Sequence, residues 1–284
     1  MIINEFDNEY LNLCNTTLET GYMEHNERTG KNCLKMHGHM MKFDLSTGKF
    51  PLLTLRKLYT KGIFAELIGF IQGVDNAARF RELGCNLWNA NANESKHWLE
   101  NPNRSGEDDL GRIYGVQARD WNGEVDQLKI AIDKISNGID DRRMIVTHWN
   151  PGELDRMALA PCHLLYQFGL RGDTLDLCMY QRSADIPLGV PSNIASYALL
   201  LTLVAQITNK KVGTFTHFLW NSHFYENQLP FVDELINRPS FEPPTLSINP
   251  DIKSLIDLET WVTVDDFSIN NYTSGTAIKF PFSE

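Results

Sequence analysis

Cysteine is scarce and never paired at short spacing. The chain carries five in 284 residues: Cys14, Cys33, Cys85, Cys162 and Cys178. An odd count with no CxxC motif argues against a disulfide framework or a zinc site, and no metal is expected. Positive charge is also in deficit, with 26 Lys and Arg against 36 Asp and Glu and a net charge of −10. Non-specific nucleic-acid binding needs clustered basic residues, so no nucleic-acid partner is expected. A small anionic substrate needs only a few converging arginines and stays open. No Gly/Ser/Pro linker, low-complexity tract or internal repeat interrupts residues 1–284, which read as a single domain. No apolar run approaches the roughly 18 residues of a membrane span. The N-terminus, MIINEFDNEY, lacks the basic and apolar regions of a signal peptide. A reduced, cytoplasmic chain with no membrane partner is the expectation.

What is present alternates strands with separated helices, and that order predicts an α+β fold. Residues 59–72 read as a helix, with Ile63, Leu67, Phe70 and Ile71 at helical spacing. Glu66 lies in its middle, where a bare carboxylate is costly. Residues 124–136 read as an amphipathic helix with Val125, Leu128, Ile132 and Ile135 in one stripe. Strands are expected at 142–149, 163–170, 174–181 and 214–225, the middle two joined by a turn at Arg171-Gly172-Asp173. In 174–181, Leu175, Leu177 and Met179 alternate with Asp176, Cys178 and Tyr180, so one face meets the core. Residues 194–207 form a strongly apolar helix with Asn193 at its N-cap, and Gly189 and Pro191 shape a tight loop before it.

Several side chains carry two readings. Cys162, in Ala-Pro-Cys-His, is either a buried structural thiol or a nucleophile. Arg182 and Ser183 sit at a strand end, where a guanidinium fork and a hydroxyl can grip a phosphate. A guanidinium nearby also favours a thiolate at Cys162. Asn193 is either a plain cap or a reader of a uracil edge, since its amide matches O4 as acceptor and N3–H as donor. Arg142 and Arg143 are either a solvated cluster with Asp140 and Asp141 or a second phosphate grip.

Longer blocks narrow these choices. RTG at 28–30, FPLLT at 50–54, AELIGFIQG at 65–73, GRIYGVQAR at 111–119, DRRMIVTHWN at 141–150, MALAPCH at 157–163, YQRSADIPLG at 180–189, NIASYALL at 193–200 and NSHFY at 221–225 resemble the thymidylate synthase family across nearly the whole chain. The resemblance implies a mixed twisted β-sheet packed by helices, with one sheet face forming a homodimer interface. It implies transfer of a one-carbon unit from 5,10-methylenetetrahydrofolate to C5 of dUMP. Cys162 resembles the nucleophile that adds to C6. Glu66 resembles the carboxylate that relays protons near O4, and a buried carboxyl with a raised pKa suits that task. Asn193 resembles the base reader; relatives acting on cytosine carry aspartate there. Tyr114 and His163 resemble supports of the site. Arg28, Arg182 and Ser183 resemble phosphate ligands, with Gln181 and Gly189 beside the nucleotide. Arg142 and Arg143 resemble the pair donated by the other subunit. His223 and Tyr225 resemble the ribose 3′-hydroxyl ligands, although strand alternation alone also explains their spacing. Trp88, Asp185, Leu188, Ser192 and Phe282 fall at folate positions, with Trp88 as a stacking surface for the pterin.

The folate half departs from the family pattern. Ser192 stands for a usual phenylalanine, Asn91 for a second tryptophan, Asn89 for an aspartate, Ala118 for the tryptophan of Gln-Trp-Arg, and Gly69 for a tryptophan. The tail ends Phe280-Pro281-Phe282-Ser283-Glu284 in place of a small apolar lid. Phe282 filling the space left by Ser192 would compensate. A site left open to water would instead yield 5-hydroxymethyl-dUMP, the product of a deoxyuridylate hydroxymethyltransferase. A nucleotide- or RNA-binding protein without catalysis is a third reading, opposed by the joint retention of Cys162, Arg182, Asn193, His223 and Tyr225. So diverged a member would also suit a virus, acting in the host cytoplasm.

Overall fold

The computed structural model describes residues 4–27 and 29–282. Its strands are β1 Tyr22–Asn26, β2 Lys31–Asp44, β3 Ile145–Thr147, β4 His163–Arg171, β5 Thr174–Asp185, β6 Lys211–Tyr225, β7 Thr245–Ile248 and β8 Phe267–Asn270. The helices are α1 Glu5–Thr20, α2 Thr60–Ile71, α3 Ala77–Leu83, α4 Asn89–Asn93, α5 Lys96–Leu99, α6 Tyr114–Arg119, α7 Gln127–Ser136, α8 Gly189–Ile207, α9 Leu229–Ile236 and α10 Leu255–Thr260. Six strands form one sheet in the order β1-β2-β6-β5-β4-β3, and β7 pairs with β8 apart from it. Neighbours run antiparallel except β5 and β6, which are parallel. A parallel pair needs a long crossover, and α8 supplies it. The mixed sheet packed by helices agrees with the expected α+β class.

Leu175, Leu177 and Met179 of β5 are buried, as their alternation predicts. Each such side chain withdrawn from water contributes about 2 kcal/mol. Helix α8 lies against β5 and β6, and its leucines and alanines are buried almost throughout. It is nineteen residues long and apolar enough to cross a bilayer, contrary to the expectation that no run approaches that length. Its burial against the sheet accounts for the composition, because a helix covered on all sides is apolar all round.

Local boundaries moved in three places. Helix α7 begins at Gln127 because the Asp126 side chain accepts from the Lys129 amide, a cap that excludes Val125; that side chain is 37% exposed. The strand expected at 142–149 shrinks to Ile145–Thr147 because Arg142 takes a left-handed backbone, φ 60°. Helix α8 starts five residues early, so Gly189 and Pro191 lie in its first turn and not in a loop. Proline is tolerated there because first-turn amides have no helical partner. Asn193 is thus inside the helix and caps nothing.

Candidate active site

The register of the sheet gathers one set of side chains at one end. His163 faces Gln181 across β4 and β5. Asp185 faces His223, and Ser183 faces Asn221, across β5 and β6. A bulge between His163 and Leu165 displaces the start of β4, as bulges beside functional sites do. Cys162 precedes that bulge. It is part-exposed, whereas Cys14, Cys33 and Cys85 are buried.

The Cys162 backbone is held from two directions. Its N–H donates to the Tyr114 hydroxyl at 2.7 Å, and its carbonyl accepts from the Arg182 amide at 2.9 Å. The Arg182 guanidinium wraps the same turn: Nε donates to the Pro161 carbonyl at 2.8 Å and Nη2 to the Ala160 carbonyl at 3.0 Å. It also lies over the Trp149 ring, 5.4 Å from the centroid, a favourable cation–π contact. Arg182 therefore fixes the loop that carries the thiol.

Tyr114, His148, His163 and Tyr197 form a chain of edge-on and tilted ring contacts beside Cys162. His148 Nδ1 lies 3.0 Å from the His163 carbonyl. Burial lowers His163 to about 3 and His148 to about 4, so both rings are neutral near pH 7. Neutral rings suit a supporting role better than that of a charged acid.

Glu66 projects from α2 with most of its surface covered. Burial pushes its carboxyl up to about 7, and the Trp88 indole draws it partly back. Trp88 Nε1 is buried beside that carboxyl and has no other partner among the described residues. A group with a pKa near the working pH can take and return protons. Asp185 is likewise raised, to about 6, by burial; the Leu188 amide, Gln228 and the Arg56 charge oppose the shift.

Asn193 lies in the first turns of α8, where Gln181 Nε2 donates to its Oδ1 at 3.1 Å. His223 Nδ1 lies 3.0 Å from Asn221 Oδ1, and its ring meets Tyr225 edge-on at 5.2 Å. The expected nucleotide side chains thus converge, with two exceptions. Arg28 lies outside the described residues. Arg142 and Arg143 are exposed before the edge strand β3 and make no salt bridge among the described residues.

Two of the expected folate positions, Trp88 and Phe282, differ from expectation. Trp88 is 4% exposed, with Phe80 stacked on it at 5.8 Å and Phe70 and Tyr114 at its edges. It offers no open face to a pterin. Phe282 is 68% exposed, so it does not fill the space beside Ser192, whose hydroxyl turns back to the Leu188 carbonyl at 3.4 Å. The tail is instead tethered one residue earlier, where Gln228 Nε2 donates to the Pro281 carbonyl at 3.1 Å.

One departure turns out to be repacking of the core. A Cβ on Gly69 would stand 2.2 Å from the Phe80 ring, so Phe80 occupies the room a tryptophan at 69 would take. Ala118 lines a cavity of about 20 Å³ among Phe70, His148 and Tyr166, barely the room of one water. Asn89 accepts from Arg81, which is paired with Asp108.

Sequence reasoning missed Gln181's partner His217, Nε2 at 2.8 Å from Gln181 Oε1, and Arg56, which donates to the Pro187 carbonyl at 2.6 Å and lies over the Phe280 ring. Neither belongs to a motif that the chain's order makes visible; both join the site through contacts between distant segments.

The description thymidylate synthase belongs to the family model that matches residues 8–284. The chain is 50% identical over 280 residues to the thymidylate synthase of Shewanella loihica, covering 97% of this chain and 99% of that protein. The thymidylate synthases of Histophilus somni strain 2336 and Haemophilus influenzae strain PittGG match at the same identity and coverage.

Proposed function

The chain belongs to the thymidylate synthase family, and from that membership we propose that Cys162 is the nucleophile of a dUMP methyltransferase using 5,10-methylenetetrahydrofolate. The co-substrate supplies the one-carbon unit and the hydride that completes the methyl group. Every other part falls to the chain's own side chains. The Cys162 thiolate forms a bond from sulfur to C6 of the pyrimidine, and the C5–C6 electron pair moves toward C5 and O4. C5 becomes the carbon nucleophile. Charge developing at O4 calls for donors held in place beforehand, and Asn193 carries an amide for that edge. Glu66 handles the protons, for which a pKa near 7 fits. Arg182 and Ser183 receive the phosphate, and His223 and Tyr225 the 3′-hydroxyl. Asp185, at the end of β5, faces the folate side with Leu188 and Ser192.

The observation that carries this reading is the double anchoring of Cys162, by Tyr114 and by Arg182. A structural thiol needs no such clamp. Hydroxymethylation required a folate side opened by the substituted residues. Gly69 is compensated in the core by Phe80, and relatives at 50% identity bear the name thymidylate synthase, so methylation is favoured.

A homodimer completes the reading. On the outer face of the sheet, Met40 pairs with Phe218, and both are exposed together with Trp220 and Ile145. A contiguous apolar sheet face of this kind marks an interface. Arg142 and Arg143 lie just before Ile145, at the edge from which they would reach the partner's phosphate site. Residues 1–284 act as one catalytic domain, with the cytoplasm as their place of work.

Incubation with dUMP and methylenetetrahydrofolate tests the reaction. Dihydrofolate, seen near 340 nm, and a product of dTMP mass are expected. Tetrahydrofolate with a product heavier by one oxygen would instead establish hydroxymethylation. 5-Fluoro-dUMP and methylenetetrahydrofolate should form a covalent ternary adduct at Cys162, and no adduct would favour a binding protein.

A further inference from the structure

Gln181 is 2% exposed and its amide is fully committed. Nε2 donates to the Ser183 carbonyl at 2.9 Å and to Asn193 Oδ1 at 3.1 Å, while Oε1 lies 2.8 Å from His217 Nε2. Chemistry fixes the direction of this chain. A backbone carbonyl only accepts, so the end of Gln181 facing Ser183 is the NH2 group. Asn193 must then present its oxygen to Gln181. The other end of Gln181 is an acceptor, so His217 Nε2 must carry the proton. Asn193 Nδ2 is left on the branch turned away from Gln181.

His217 comes from β6, where it pairs with Met179 of β5 in the parallel register. It is fully buried, and Phe215 stacks on it at 5.6 Å. Among the described residues Nδ1 is buried without a partner, so the ring makes one hydrogen bond there, and that bond goes to Gln181. Burial lowers it to about 3, which keeps the ring neutral and single-tautomer near pH 7.

We propose that His217 is a positioning residue that, through Gln181, locks the Asn193 amide in one of its two orientations and thereby sets the preference for a 4-keto over a 4-amino pyrimidine nucleotide. The inference rests on the nucleotide reading above. Locked, Asn193 directs Nδ2–H at the base, where a 4-keto oxygen accepts and a 4-amino group, itself a donor, does not. Without the donor on His217, Gln181 can rotate its amide. Asn193 can then follow and turn an oxygen toward a 4-amino group. An asparagine alone offers either face, and the selectivity comes from what holds it.

The test compares dUMP and dCMP binding by calorimetry in the wild type, His217→Phe and His217→Gln. The wild type should prefer dUMP. His217→Phe keeps an aromatic ring and loses the donor, and its dUMP-to-dCMP affinity ratio should fall about tenfold, the worth of one hydrogen bond. His217→Gln supplies an amide donor and should recover most of the ratio. A purely structural histidine would weaken both nucleotides alike and leave the ratio unchanged, which would overturn the proposal. Should His217→Phe not fold, 15N NMR of the wild type still decides: the proposal requires the Nε2–H tautomer at His217, and the Nδ1–H tautomer refutes it. Failure of the wild type to bind dUMP would sink the nucleotide reading instead, and the tautomer measurement would still report on the lock.

Discussion

Glu66→Gln should make the protein more stable and less active at once. The carboxyl is shifted from an ordinary 4.5 to about 7 by burial. Its raised folded-state pKa means the folded chain holds a proton there that the unfolded chain has released, between those two values. By linkage, stability contributed by the neutral carboxyl is present below pH 4.5 and lost as pH rises through 7. At about 1.4 kcal/mol per pH unit, the full loss is about 3 kcal/mol above pH 7. Glutamine is neutral at every pH and nearly the same shape, so it escapes that loss. Urea denaturation should find the variant less than about 1 kcal/mol more stable at pH 5 and about 3 kcal/mol more stable at pH 8. The same substitution removes the proton relay, so kcat should fall at least a hundredfold and the limb of the pH–rate profile near 7 should vanish. A variant no more stable than wild type at pH 8 would mean that Glu66 is not strained by its surroundings, and the argument linking its cost to its use would fail.

Tyr114→Phe removes the hydroxyl that accepts the Cys162 amide at 2.7 Å and should cost about 1–3 kcal/mol of stability by denaturant titration, with a drop in kcat larger than any rise in the KM for dUMP. Mixing Arg142→Ala with Cys162→Ser under subunit exchange should recover about a quarter of wild-type activity, because half the dimers then carry one intact site; no recovery with exchange proven by mass would place the arginines outside the partner's site. Gly69→Ala drives a methyl group into the Phe80 ring and should destabilise by about 1–3 kcal/mol. The paired exchange Gly69→Trp with Phe80→Leu should be more stable than Gly69→Trp alone, read as a positive coupling in a double-mutant cycle of thermal unfolding.

The residues legible from sequence were those that violate a local rule. A carboxylate among Ile63, Phe64, Leu67 and Ile68 stands out without any structure, and Glu66 indeed lies against Trp88 near the Cys162 anchor Tyr114. The alternation of β5 placed Leu175, Leu177 and Met179 inward because strand period is fixed by the backbone. Asn193 was misplaced as a cap because a proline two residues earlier reads as a stop; in the first turn it is no stop at all. His217 was invisible for a different reason. On β6 it looks like one more inward position between Phe215 and Leu219, and only the parallel register with β5 brings it within reach of Gln181.

Core departures and site departures therefore obey different physics. Gly69 and Phe80 are eleven positions apart in the chain yet share one volume, and packing density requires that what one gives up the other takes. The hydrogen-bonded positions have no such freedom. Gln181 has every polar atom engaged, and replacing any one partner leaves a buried group unpaired. Volume can thus be shared by a pair such as Gly69 and Phe80, whereas a donor facing an acceptor, as between His217 and Gln181, has to be kept by each residue alone.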